Sequence, residues 1–271
     1  MENLVTQYAC VACGTRLDQA VVSVPGVLCS SCQNQGLFRK RLIITGITRM
    51  NNGHVCVSGV DPTTWKFIRP VFPSGLNRDF IMEGNSQVIR HFNLVEVEFR
   101  EYHPDTEFHT EDWVINEKFA PRFIRHLTNR EVLGVLNKMA IDDLQKAIDR
   151  GDRSLFIVKA QSIGNIWHEE YEKFKVRLTF VDASGNLFRR IAVTDLLTLA
   201  FARHKIAIGN DDYSAQLALR FNQSKNRFIR IGLTRLWRNE RWKQVTALIT
   251  VPDFFDGLSF VDFERNTRKN S

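Results

Sequence analysis

Residues 41–71 read RLIITGITRMNNGHVCVSGVDPTTWKFIRPV, and this stretch decides the fold class. Arg41 to Thr48 and His54 to Val60 are β-rich runs on either side of Asn52-Gly53. An Asn-Gly pair between such runs is the strongest short hairpin signal, because both residues accept the positive φ of a tight turn. Asp61-Pro62 marks a further turn. Beyond it Trp65, Phe67 and Arg69 alternate, so a third strand would place all three on one face. An aromatic ring beside a guanidinium makes a surface for stacking a base or holding a phosphate.

Upstream, Cys10-x2-Cys13 and Cys29-x2-Cys32 are separated by fifteen residues, a spacing that fits a zinc ribbon. Each pair sits on a tight knuckle, so two sulfurs from each side can converge on a tetrahedral ion. Four thiolates leave no position open to water, and zinc held there is structural. Two disulfides are the alternative. The N-terminal MENLVTQYAC lacks the basic and apolar regions of an export signal, however, and an unexported chain keeps its thiols reduced. Cys56 lies in the second run of the hairpin and reads as a small core residue.

Downstream, Val88 to Glu101 reads as one long strand or a strand pair, with Val95, Val97 and Phe99 alternating against Glu96, Glu98 and Arg100. His103 and His109 follow among Glu101, Asp105, Glu107, Glu111 and Asp112. A divalent-metal site is conceivable there, but no strand or helical register brings these side chains together, and the segment reads as an acidic solvated loop. Thr128-Asn129-Arg130-Glu131 is a capping box that opens a helix with the apolar stripe Val132, Leu133, Leu136 and Met139. A second helix is expected over Ile141 to Ile148, ending at Gly151. Strands return at Leu155 to Gln161, Phe174 to Val181 and Leu187 to Val193, the last two joined by a turn at Gly185-Asn186. Thr194-Asp195 starts a helix through His204 whose Leu197, Ala200 and Phe201 face the core. Ala215 to Phe221 reads as another strand.

The end of the chain echoes its beginning: Thr45-Gly46-Ile47-Thr48-Arg49 matches Ile231-Gly232-Leu233-Thr234-Arg235, and each is followed by a short loop and a second alternating run. The echo suggests duplication, and a glycine at one point of each strand fits a small barrel in which strands bend sharply. Thr48-Arg49, Asn52-Gly53, Val55 to Gly59 and Trp65 to Pro70 together resemble the opening of the dual OB-containing domain family, found in bacterial proteins, many from anti-phage conflict systems. Arg230 to Arg235 with Trp242 to Val245 resembles that family's closing motif. In outline the resemblance covers residues 40 to 263. It implies two OB-like β-barrels, and with the cysteine spacing and the helical region the expected chain is mainly β with a helical insertion (α+β): a zinc ribbon over 1–38, a first OB-like β-barrel over 39–127, a helical bridge over 128–153 and a second OB-like β-barrel over 154–271.

Composition is that of an ordinary globular chain, 44% hydrophobic and 25% charged over 271 residues. No apolar run approaches the ~20 residues of a membrane span, so a cytoplasmic protein with no membrane partner is expected. The formal charge of +7 permits nucleic-acid binding. It is unevenly spread. From Ala200 onward thirteen Lys and Arg face seven Asp and Glu, whereas Ile81 to Asp112 holds two Arg against eight acids. No G-x-S-x-G, P-loop or Rossmann glycine pattern is present, and His168-Glu169-Glu170 fails the HExxH pattern because residue 172 is Glu. No enzyme is expected.

OB folds hold oligonucleotides with aromatic platforms and basic side chains, which makes Arg49, Trp65, Arg69, Arg227, Arg230, Arg235, Trp237, Arg238, Arg241 and Trp242 the candidates. Each has a plainer role as core, ion-pair or solvated residue; Arg69, between apolar residues and before a proline, either meets a buried acid or points into a groove. The sequence therefore supports a nucleic-acid-binding recognition module, favouring single strands and serving a separate effector protein as an accessory or sensor subunit; the defence setting comes from the resemblance alone. A nucleotide or modified-base sensor with Trp65 and Arg69 lining a pocket between the barrels, and a protein-interaction adaptor, are the alternatives.

Overall fold

The computed structural model describes residues 8–9, 16–17, 38–84, 86–104, 108–170, 173–210, 212–236 and 239–270. Two short strands, β1 (Tyr8–Ala9) and β2 (Arg16–Leu17), pair antiparallel. The zinc expectation falls on Cys10, Cys13, Cys29 and Cys32, which lie outside the described residues.

The hairpin forms as its sequence dictates. β3 (Phe38–Arg49) turns through Asn52 and Gly53, at φ 57° and 76°, into β4 (Val55–Val60). β5 (Phe67–Val71) follows. Trp65 does not share its face with Phe67 and Arg69, because the strand has not yet begun there: Asp61 accepts the backbone N–H groups of Thr63 and Thr64, its own N–H donates to Lys66 O, and Trp65 sits in that turn at φ 56°. A small hairpin, β6 (Met82–Glu83) and β7 (Ser86–Gln87), precedes β8 (Asn93–Tyr102), β9 (Asp112–Ile115) and β10 (Arg122–His126). β3 pairs with β4 and β8, β4 with β5, β5 in parallel with β9, and β9 with β8, closing a five-stranded barrel with β10 added outside it.

A capping box between Thr128 and Glu131 starts α1 (Asn129–Met139). The next helix begins later than Ile141, because β11 (Ala140–Ile141) pairs in parallel with β12 (Leu155–Glu170); α2 (Leu144–Asp149) then starts on its cap Asp143. The second barrel continues with β13 (Phe174–Asp182), β14 (Leu187–Val193), α3 (Leu196–Ala207), α4 (Tyr213–Gln223), β15 (Asn226–Leu233) and β16 (Lys243–Val251), and α5 (Phe260–Asn270) ends the chain. Ala215 to Phe221 is thus helical, not a strand. β12 pairs with β13 and β15, β13 with β14, β14 in parallel with β16, and β16 with β15.

Both barrels therefore run first strand to second to third to fifth to fourth and back to first, the closed five-strand OB arrangement. The duplication lies in this topology. The sequence echo does not mark it, since Thr45 to Arg49 belong to the first strand of one barrel and Ile231 to Leu233 to the fourth strand of the other. Between the barrels runs a seam of apolar side chains. Val132, Val135, Leu136 and Met139 of α1 pack with Ile43, Val60 and Phe67 of the first barrel and with Ile157, Phe228 and Ile249 of the second. Thr48 bridges Asp195, and the Arg49 N–H donates to Thr194 O at 2.8 Å. No helix among the described residues is long and apolar enough to cross a membrane.

Candidate nucleic-acid interface

A cleft of about 850 Å³ opens along this seam. Each barrel presents to it the connection between its first and second strands and the one between its fourth and fifth: residues 50–53 and His109 from the first, Lys173 and Thr234 with Arg235 from the second. These are the connections with which OB folds grip oligonucleotides. Arg49, Arg69, Arg203, Arg230 and Arg235 all line it, as does Cys56, which is therefore not a core residue.

The five guanidinium groups are held in three different ways. Arg230 is fully buried, and its Nε, Nη1 and Nη2 donate to the hydroxyls of Thr45 (3.1 Å), Thr246 (2.8 Å) and Ser58 (2.7 Å). Among the described residues it makes no ion pair, and burial lowers its pKa to about 10. It forms the floor of the cleft and joins β15 of one barrel to β3 and β4 of the other.

Arg69 and Arg235 are neutralised. Arg69 Nε meets Asp112 Oδ1 at 2.5 Å and Arg235 Nη2 meets Oδ2 at 3.4 Å. Burial acts to lower the Arg69 pKa, but Cys56, Asp112 and Glu111 raise it overall. Arg69 thus does both things its sequence position allowed, since it pairs with a buried acid and lines a groove. Its Nη2 also lies 2.8 Å from His109 Nδ1. His109, Glu111 and Asp112 are buried, so the expected solvated acidic loop is wrong for these three, while His103 is exposed. Glu111 accepts from the backbone of Ser154 and Leu155 and from the Ser154 hydroxyl, stitching one barrel's loop to the other's first strand. Burial raises its pKa; Arg69 and Ser154 act the other way.

Arg49 and Arg203 differ from the rest. Among the described residues neither side chain makes a hydrogen bond or an ion pair. Burial and then the charge of Arg203 lower the Arg49 pKa, so the two cations are near enough to act on each other in a cleft that Glu170 also lines without an ion pair to either. Arg203 lies over the Phe174 ring at 5.0 Å.

The remaining candidates scatter. Trp65 lies under the Lys138 ammonium at 3.8 Å and lines a separate hollow with Tyr102 and Trp113, so it shares no pocket with Arg69. Trp242 is 55% exposed beside the cleft, its backbone N–H donating to the Thr234 hydroxyl. Arg241 stacks on Phe108 at 3.4 Å, and Arg227 donates to the carbonyls of Asn222 and Ala160. Trp237 and Arg238 lie outside the described residues. Arg203 and Lys173 were missed because each stands near apolar residues that read as core or strand, and only the fold brings them to Arg49.

A basic cleft along the seam of two tandem OB barrels defines the class of this molecule. Residues 40–248 match the dual OB-containing domain family, and the chain belongs to that family. No curated protein matches it. Among solved structures, the crystal structure of the tetrameric p202 HIN2 is similar at a TM-score of 0.30 and 10% identity, over 78% of this chain and 93% of that one; at that score the likeness is loose.

Proposed function

We propose that the chain binds nucleic acid in the seam cleft, as a non-catalytic recognition module that acts with a separate effector protein. The observation that carries this reading is the pair Arg49 and Arg203, which line one cleft and, among the described residues, make no ion pair. Two unneutralised cations held together raise each other's energy, and a phosphate between them relieves it. Trp242, exposed on the loop whose Thr234 and Arg235 line the cleft, offers a flat face to an unpaired base, which favours single strands over duplex. The family resemblance adds the anti-phage setting, and the cysteine spacing adds structural zinc on Cys10, Cys13, Cys29 and Cys32 in a cytoplasm that keeps thiols reduced; metal analysis of the purified chain, expected to find one zinc per molecule, checks the latter.

Fluorescence anisotropy with short single-stranded and double-stranded DNA and RNA at two salt concentrations tests the proposal. Micromolar or tighter binding with a steep loss at the higher salt is expected, because each phosphate contact releases counterions. Arg49→Glu and Arg203→Glu should each weaken it about tenfold or more and flatten the salt slope by about one. Absence of binding at low salt, or binding indifferent to both substitutions, overturns it.

A further inference from the structure

A second cavity lies between the barrels, about 270 Å³ in volume, and shares no lining residue with the basic cleft. That is near the small end of the ~300–1,000 Å³ usual for ligand sites, room for one ring system and its substituents. Its apolar walls come from Ile47 and Phe92 of the first barrel, Leu248 of the second and Phe260 of α5.

Its polar groups are few and of complementary kinds. Arg90 lines the cavity, and among the described residues its guanidinium makes no hydrogen bond or ion pair. Its charge nevertheless reaches the neighbours: after burial it helps lower the pKa of His91 and of His126. Asp253 supplies the acceptor side. Its two oxygens take the N–H groups of Phe255 and Gly257 at 3.1 and 3.0 Å, and each keeps a further lone pair. Gln87 adds another acceptor. Its Nε2 donates to Ile89 O at 2.7 Å, which fixes the amide, and leaves Oε1 buried without a partner. His91 Nε2 is likewise buried without a hydrogen bond.

An occupant that suits these walls carries an anionic group, a flat apolar body and at least one N–H donor. We infer that the cavity is a site for a single nucleoside monophosphate, with its phosphate on Arg90, its base between Ile47, Phe92, Leu248 and Phe260, and a donor edge of the base toward Asp253 and Gln87. This does not rest on the cleft's reading, since the two sites have no residue in common.

Isothermal titration of the full chain with GMP, AMP, CMP and UMP, and with the matching nucleosides, tests it. At least one nucleotide should bind in the micromolar range, and its nucleoside about tenfold or more weakly, since a charge-assisted contact to the phosphate is lost. In Arg90→Ala, which breaks no hydrogen bond or ion pair among the described residues, that preference for the phosphate should vanish. The inference is overturned if no nucleotide binds, if the wild type binds nucleoside and nucleotide alike, if Arg90→Ala keeps the preference, or if affinity falls in Arg49→Glu but not in Arg90→Ala.

Discussion

Gly46 and Arg230 occupy one space at the seam of the two barrels: a Cβ on Gly46 would lie 2.5 Å from the Arg230 Nη1 and 2.9 Å from its Cζ. The glycine is required by this close approach; it does not adopt a positive φ, and the β3–β4 register shifts beside it, between Ile44 and Gly46. The guanidinium cannot step aside cheaply, because three hydroxyls from both barrels hold it.

Gly46→Ala is therefore expected to cost about 1–3 kcal/mol, read as a lower urea midpoint without a change of slope. Combining it with Arg230→Met, which removes the group it strikes, should cost less than the sum of the two single substitutions. Strict additivity in that cycle would show that the two side chains do not compete for space.

The tryptophans should separate by role. Trp242→Ala is expected to weaken oligonucleotide binding by ~1–3 kcal/mol, the usual worth of a stacked base, while stability moves by no more than ~0.5 kcal/mol. Trp65→Ala, which uncovers the seam beside Phe67 and strips Lys138 of its ring, should do the reverse, losing about 2 kcal/mol of stability with affinity unchanged. Anisotropy and urea unfolding of both variants decide it.

Asp112 holds two cleft arginines neutral, and Asp112→Asn should have opposite effects on folding and on binding. Leaving the buried Arg69 without its carboxylate is expected to cost about 3 kcal/mol. The positive charge that Asp112 no longer offsets should tighten oligonucleotide binding and steepen its salt dependence. A variant that binds more weakly while still folded would rule this electrostatic account out.

The seam also holds a pair of opposed titrations. Burial raises Asp195 to about 7 from 3.8 and lowers His91 to about 4 from 6.5, their Oδ1 and Nε2 atoms 3.6 Å apart. Between about pH 4 and 6.5 the folded chain holds one proton more than the unfolded on Asp195 and one fewer on His91, so their contributions to the slope of stability with pH cancel. In Asp195→Asn only the histidine remains, and stability should fall as pH drops from 6.5 toward 4. In His91→Gln only the acid remains, and stability should fall as pH rises from about 4 to about 7. Each slope is at most ~1.4 kcal/mol per pH unit, measurable by urea unfolding across a pH series.

The barrels were legible wherever local chemistry agrees with the final structure. Asn52-Gly53 specifies its turn outright, and the alternation of Val95, Val97 and Phe99 specifies a strand with one face in the core. Alternation misleads where two periods overlap. Leu217, Leu219 and Phe221 alternate like a strand, but the buried set is Tyr213, Leu217 and Phe221, spaced by single helical turns, and Leu219 is exposed. It misleads again at Trp65, where the Asp61 side chain delays the strand that the alternation anticipates. In the cleft, Arg49, Arg69, Arg230 and Arg235 were visible as basic residues within β-rich runs. What distinguishes them, whether each meets Asp112, three hydroxyls or another arginine, depends on partners from distant parts of the chain.

The four loops around the cleft come in pairs from two barrels that α1 and Arg230 clamp together. Their spacing is consequently a property of the clamp and not of the occupant. The opening between the barrels is set by contacts that lie outside it, so an occupant of the cleft would meet a width that it did not itself shape.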